Sequence, residues 1–377
     1  MSGPLSGLKV LELAGIGASP YACMLLADLG ADVLRLERGD VDADEATTWD
    51  VLNRSRPSVA IDLKSEAGRD LVLDLSERAD VLIEAFRPGV AERLGLGPTD
   101  VWARNKRLVY GRMTGYGQEG PLSARAGHDI NYIAVSGALW PVGRAGERPV
   151  PPINFVGDFG GGALFLVFGV MSAVFAAQRS GEGQVVDASM VDGSASMMAM
   201  THSFINSGYW LEERGVNILD SGAHFYEVYE TKDQRYVAVG AIEAKFYAEL
   251  LGGLGLSASD LPSQMDRIQW PTMKEKFTTV FLTKTRDEWT EIFENLDACV
   301  TPVLSPSEAA RHPYNTARQV FSTDGAVQPE PVPRFSKTPG EIGQPPRAAG
   351  SGTREGLRNW GVGDEQFAAL NAAGAFG

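Results

Sequence analysis

The sequence predicts an α/β fold with a mostly parallel sheet, followed by a smaller α+β lobe. Two observations predict it. In the N-terminal part, short β-rich runs alternate with helical ones, the pattern of a parallel sheet covered by helices. From about Tyr226 the texture changes to two strands joined by a tight polar turn, Lys232-Asp233-Gln234, with helical spacing after them.

The elements follow in order. Leu8 to Leu13 reads as a strand, then Gly15-Ile16-Gly17 as a turn, then a helix opening near Pro20, where proline suits the first turn. Ala31 to Glu37, Ser58 to Leu63, Asp80 to Glu84 and Leu108 to Met113 are further strands, with a helix from Glu66 to Arg78. Phe159 to Ala177 is uncharged and long enough to span a bilayer, but Gly160, Gly161, Gly162 and Gly169 dilute it. We read it as a central helix buried on all sides, and expect no membrane partner. Gln184 to Ala188 is the next strand. Val228 to Thr231 and Arg235 to Gly240 form the later hairpin, with helices at Phe246 to Leu254 and Asp287 to Leu296. Gly325 to Arg347 holds six prolines and reads as a linker, and Thr353 to Ala372 returns to helical spacing, interrupted at Gly361. These signals divide the chain into a large domain (1–200), a linker (201–225), a small α+β domain (226–320), a proline-rich linker (321–350) and a C-terminal segment (351–377) that returns to the large domain.

Composition narrows the function classes. With 377 residues, 44% of them hydrophobic, the chain can bury a sizeable core. A net charge of −14 repels a phosphate backbone, so no nucleic-acid partner is expected. Two distant cysteines, Cys23 and Cys299, cannot build a disulfide framework and fit a reducing cytoplasm. The opening MSGPLSGLKV lacks the features of a signal peptide, which also favours a cytoplasmic location.

Several residues invite a chemical reading. Gly15-x-Gly17-x-x-Pro20, with Glu37 ending the next strand, resembles a dinucleotide fingerprint without its third glycine. A plain β–turn–α connection explains it better. Arg38, Arg87 and Arg93 follow β-runs, where α/β sheets present their ligand edge, and suit a polyphosphate ligand. His128 lies in Gly127-His128-Asp129-Ile130-Asn131-Tyr132, and Asp158 in a glycine-rich stretch just before the apolar helix. They suit acid–base work, but from spacing alone a structural histidine and a helix cap explain them better. His128, His202, His224 and His312 have no ligand spacing with cysteine or each other, so no metal site is expected. Met190, Met197, Met198 and Met200 form a cluster whose default role is core filling.

At these residues the chain resembles the CaiB/BaiF family of class III CoA-transferases. The likeness runs through LSGLKVLEL, LADLGADVLRLER, DVLIEAFRPGVAERLGLGP, GHDINYIAVSG, VGDFGGG, GEGQVVDASMVDG, VAVGAIEAKFY, WPTMKEKF and DACVTPVL, covering nearly the whole chain. It implies a Rossmann-like large domain, a smaller α+β domain and an interlocked homodimer. It also implies an acyl-CoA substrate and no separate cofactor, since CoA enters with the thioester. CoA contacts are implied at Arg38, at Ile61, Asp62, Leu63 and Lys64, at Ala85, Phe86 and Arg87, at Arg93, and at Gly127, His128, Asp129, Ile130, Asn131 and Tyr132.

Within the family the chain is most similar to the branch that racemises 2-methylacyl-CoA thioesters. There His128 and Asp158 would flank Cα from opposite faces, the backbone N–H of Asp129 would hold the enolate oxygen, and Glu243 would reach His128 from the other subunit. The methionines would line the acyl path. The chain departs from the pattern at Asp220-Ser221-Gly222-Ala223-His224 and at Ala244-Lys245, expected beside the acyl cleft. The family's transferases use the aspartate matching Asp158 as a nucleophile; His128 favours the racemase. A non-enzymatic acyl-CoA binder is a third reading, separable by its indifference to loss of His128 or Asp158.

Overall fold

The computed structural model describes residues 3–38, 49–323 and 325–376. Its chain begins with β1 (Lys9–Leu13), α1 (Ala18–Asp28), β2 (Asp32–Glu37), β3 (Ser58–Ala60), α2 (Glu66–Ser76), β4 (Val81–Glu84), α3 (Val90–Arg93), α4 (Pro98–Trp102), β5 (Val109–Thr114) and α5 (Asp129–Val135). A π-helical segment, Phe155–Leu164, runs into α6 (Phe165–Ser180), followed by β6 (Val185–Ser189) and α7 (Met190–Met197). The six strands form one sheet in the order β3-β2-β1-β4-β5-β6, and each pair is parallel. Parallel strands sit between two layers and carry near-continuous apolar runs. Accordingly Leu11, Leu13, Leu34 and Leu36 face one core, and Val10, Val33, Val81 and Ile83 the other. The order reverses between β1 and β4, the crevice where open α/β sheets bind ligands.

Two compact units emerge: residues 1–136, 153–197 and 319–377 in the first, and 137–152 and 198–318 in the second. Sequence alone leaves 137–152 inside the large domain and treats 201–225 as a linker. Both belong instead to the second unit. That unit contains α8 (Ala199–Asn206), β7 (Tyr226–Glu230), β8 (Tyr236–Gly240), α9 (Ala244–Leu254), α10 (Trp270–Phe281), α11 (Arg286–Phe293), β9 (Val300–Pro302), α12 (Pro306–Ala309) and α13 (Pro313–Arg318). Its antiparallel sheet, β7-β8-β9, packs on an aromatic core that includes Phe225, Trp270, Phe277 and Trp289.

The chain then forms the short pair β10 (Phe321–Ser322) and β11 (Gln328–Pro329) and ends in α14 (Thr353–Asn359) and α15 (Asp364–Ala372). The proline-rich stretch is tied down rather than loose. Arg54, 1% exposed, donates to Asp28, Gln328 and the Pro329 carbonyl, and the Ser55 N–H donates to the Gln344 carbonyl.

The apolar helix departs from the expectation of burial on all sides. Phe155–Ser180 is apolar enough to cross a membrane, yet only 39% of its most hydrophobic window is buried. Leu166 and Val170 pack against Gly111 on β5, while Phe168 and Phe175 are 73% and 63% exposed on the opposite side. One face serves the sheet; the other is open apolar surface. The methionine cluster departs too, since Met197 and Met200 are exposed and only Met190 is buried.

Candidate active site

The turn after β1 opens the site. Gly17 caps α1 with φ 72°, a left-handed conformation open to glycine at little cost. A Cβ on Gly17 would stand 3.2 Å from Asp158 Oδ2, so the bare glycine lets this turn approach the carboxylate. Ala14 to Gly17 line a cavity of about 860 Å³ with Arg35 and Glu37 on β2 and Arg38 after it, Ala85 to Pro88 after β4, Met113 and Thr114 at the end of β5, Gly115 and Tyr116 after it, and Ser123 and Arg125 to His128. Tyr132, Asp158 and Met190 complete its wall. All these residues belong to the first unit.

His128 is the N-cap of α5, exposed, its backbone N–H donating to Asn131 Oδ1 at 3.1 Å. The first N–H groups of a helix have no intrahelical acceptor, which leaves that of Asp129 suited to a developing oxyanion. Asp158 sits on the π-helical segment, where the N–H of Phe159 reaches back five residues to the Asn154 carbonyl. Single-turn π insertions recur at functional sites; this one spans ten residues. Asn154 Nδ2 donates to Asp158 Oδ2 at 3.2 Å. Burial raises the Asp158 pKa; the Asn154 bond opposes the shift, nearby Asp129 adds to it, and His128 opposes it.

The expected site residues divide. Arg38, Ala85, Phe86, Arg87, Gly127, His128, Tyr132 and Asp158 share the cavity wall. Ile61 is fully buried and outside the wall, its N–H bonded to the carbonyl of Glu37, and Asp62, Leu63 and Lys64 lead into α2 outside the wall. Arg93 ends α3 behind Gly89. Asp129 is buried, while Ile130 and Asn131 are exposed on α5 and do not line the cavity. Glu243 is the exposed N-cap of α9 in the second unit.

His224 is not a cleft residue. It is 1% exposed, its Nε2 lies 2.9 Å from the Tyr247 hydroxyl, and its ring stands edge-on to Phe225 and Phe277. Burial and then Lys274 lower its pKa to about 4, as befits a neutral core imidazole. Asn154, Tyr116 and the side chain of Asp129 escape sequence reasoning altogether. Only the aromatic spacing in Gly115-Tyr116-Gly117 hints at a wall. Among the described residues no cluster of His, Cys, Asp and Glu is poised to hold a metal ion.

The model of CoA-transferase family III matches residues 5–353. The chain belongs to CoA-transferase family III. It is 46% identical to the alpha-methylacyl-CoA racemase of Mus musculus over 371 residues, covering 98% of this chain and 96% of that one. Identity to the Homo sapiens alpha-methylacyl-CoA racemase is 42%, with the same coverage. The fold of this family III member matches the crystal structure of a CAIB/BAIF family protein from Brucella suis at TM-score 0.82 and 24% identity, covering 96% and 100% of the two chains.

Proposed function

We propose that the protein interconverts the (R) and (S) forms of 2-methylacyl-CoA thioesters by moving the α-proton, with His128 and Asp158 as the acid/base pair. One observation carries the reading: the two side chains line one cavity that also holds Arg38 and Arg87, guanidinium groups suited to the phosphates of CoA. The likeness to two racemases at 42–46% identity supports it.

The chemistry needs a base on one face of Cα, an acid on the other, and a donor for the enolate oxygen. His128 and Asp158 supply the first two and exchange roles with the direction of reaction. The Asp129 N–H supplies the third. An Asp158 pKa raised by burial brings its protonated and ionised forms closer in energy, which suits a group that must serve as both.

The same reading makes the protein a homodimer, with Glu243 of a second copy orienting His128. The open apolar face at Phe168 and Phe175 supports self-association, and Glu243 makes no capping hydrogen bond to its own helix. Light scattering on the wild type and on Phe168→Glu/Phe175→Glu tests this; a wild-type monomer that racemises at full rate refutes it.

The chemical test is proton NMR of one enantiomer of a 2-methylacyl-CoA in D2O, with a free carboxylic acid present. Loss of the α-proton signal and of optical purity, with both effects reduced by about 10²-fold or more in His128→Ala and Asp158→Ala, supports the racemase. CoA appearing on the added acid while the α-proton is retained overturns it and makes Asp158 a nucleophile.

A further inference from the structure

We propose that Arg112 is a positioning residue for the nucleotide end of the acyl-CoA substrate, acting through carboxylates that hold two of the loops around the cavity; this rests on the acyl-CoA reading above. Arg112 lies on β5, in register with Glu84 on β4 and Asp187 on β6, so three charged residues form one row across the carboxyl side of the sheet. It is 8% exposed and does not itself line the cavity.

Its guanidinium reaches out in three directions. Nε lies 3.4 Å from Glu84 Oε1, an ion pair rather than a hydrogen bond. Nη2 pairs with Glu92. Nη1 donates to Gln118 Oε1 at 2.9 Å, and the backbone N–H of Gln118 donates to Asp187 Oδ2 at 3.0 Å.

Two arms end at the cavity wall and the third on α3. Glu84 Oε2 accepts the Phe86 N–H at 2.6 Å, which holds the turn carrying Phe86 and Arg87 on the cavity wall. Glu92 adjoins Arg93 on α3. Gln118 follows Tyr116, also on the wall. Arg112 therefore couples the β4 turn, α3 and the β5 turn through one planar fork, which a point charge does not reproduce. Because the Glu84 arm holds the turn that bears Arg87, and no arm bonds to His128 or Asp158, the network serves binding of the nucleotide end rather than the proton transfers.

Two substrates separate the roles: a 2-methylacyl-CoA, and the matching 2-methylacyl-pantetheine thioester, which lacks the nucleotide. Exchange kinetics are measured for the wild type and for Arg112→Gln, Glu92→Gln, Arg87→Ala and Arg87→Ala/Arg112→Gln. Arg112→Gln and Glu92→Gln should raise KM for the CoA thioester about tenfold and change kcat less than about twofold, with kcat/KM for the pantetheine thioester nearly unchanged. Adding Arg112→Gln to Arg87→Ala should raise KM by less than about twofold more. Equal losses on both substrates, or a fall in kcat at constant KM, overturn the proposal. If Arg112→Gln does not fold, Glu92→Gln decides, because that side chain is 46% exposed and its loss cuts a single arm. An unchanged KM in Arg87→Ala overturns the nucleotide reading of the cavity and this inference with it. A raised KM in Arg87→Ala with an unchanged one in Glu92→Gln overturns the network alone.

Discussion

The carboxylate of Asp129 accepts the backbone N–H groups of Gly157, at 2.6 Å, and of Asp158, at 2.7 Å, through a single oxygen, Oδ2. A residue on α5 thereby sets the start of the segment that carries the second proposed acid/base group. Gly157 is bare at this contact: a Cβ there would stand 2.6 Å from the same oxygen.

Removing that clamp should disturb both folding and catalysis. Asp129→Ala forfeits two charge-assisted hydrogen bonds, each worth about 1.5–3 kcal/mol, and should lower the rate of α-proton exchange by about tenfold or more. Asp129→Asn keeps an acceptor oxygen but removes a charge that helps raise the Asp158 pKa. In the direction in which Asp158 is the base, the acidic limb of its kcat/KM profile should therefore move to lower pH, which a pH–rate series reads directly.

Close approach of two backbones fixes the π-helical segment. A Cβ on Gly193 would overlap the Gly161 carbonyl, and a Cβ on Gly161 would stand 2.6 Å from the Ser194 nitrogen. Gly193→Ala should destabilise the protein by about 3 kcal/mol or more through overpacking and backbone shift. Chemical denaturation measures the loss, and activity should fall with it.

The buried Arg54–Asp28 pair, 1% exposed on both side chains, ties down the proline-rich stretch at Gln328 and Pro329. Breaking one partner of such a pair strands a buried charge and costs about 3–5 kcal/mol. Arg54→Ala should lower the unfolding midpoint accordingly and open the segment around Gln328 to limited proteolysis before global unfolding.

Glu84 should make stability depend on pH. Burial lifts its pKa from the usual 4.5 to about 7; the Phe86 N–H and then Arg112 oppose the shift, while Glu92 and Asp187 add to it. With a folded-state pKa above the unfolded value, its contribution is fully present below about pH 4.5 and is lost as pH rises through about 7. The shift is worth about 3 kcal/mol at most. Glu84→Gln should flatten the fall in unfolding free energy between pH 5 and 8; an unchanged slope in denaturant titrations counts against it.

Much of the first unit was legible because strand and helix signals are local. Leu8 to Leu13 became β1, Ala31 to Glu37 became β2, and Gln184 to Ala188 became β6, each within a residue or two. Helix α10 left no such reading, though Trp270, Met273, Phe277 and Phe281 recur at helical spacing and are all buried. The exposure of Phe168 and Phe175 was illegible for a different reason. An apolar stretch reports that water is unfavourable there, not which surface covers it.

His128 and Asp158 mark the limit of what sequence determines. Residue types, the alternation of β and α, the run of motifs and the four histidines without ligand spacing are all properties of neighbours along the chain. They determined the parallel sheet, the family and the two candidate groups. Tertiary structure alone decided that those groups share one cavity, that Asn154 and the Asp129 carboxylate hold Asp158, and that His224 is a core residue. Such outcomes depend on which distant segments pack together, and packing is settled by burial and close contact across the whole unit rather than by any local pattern.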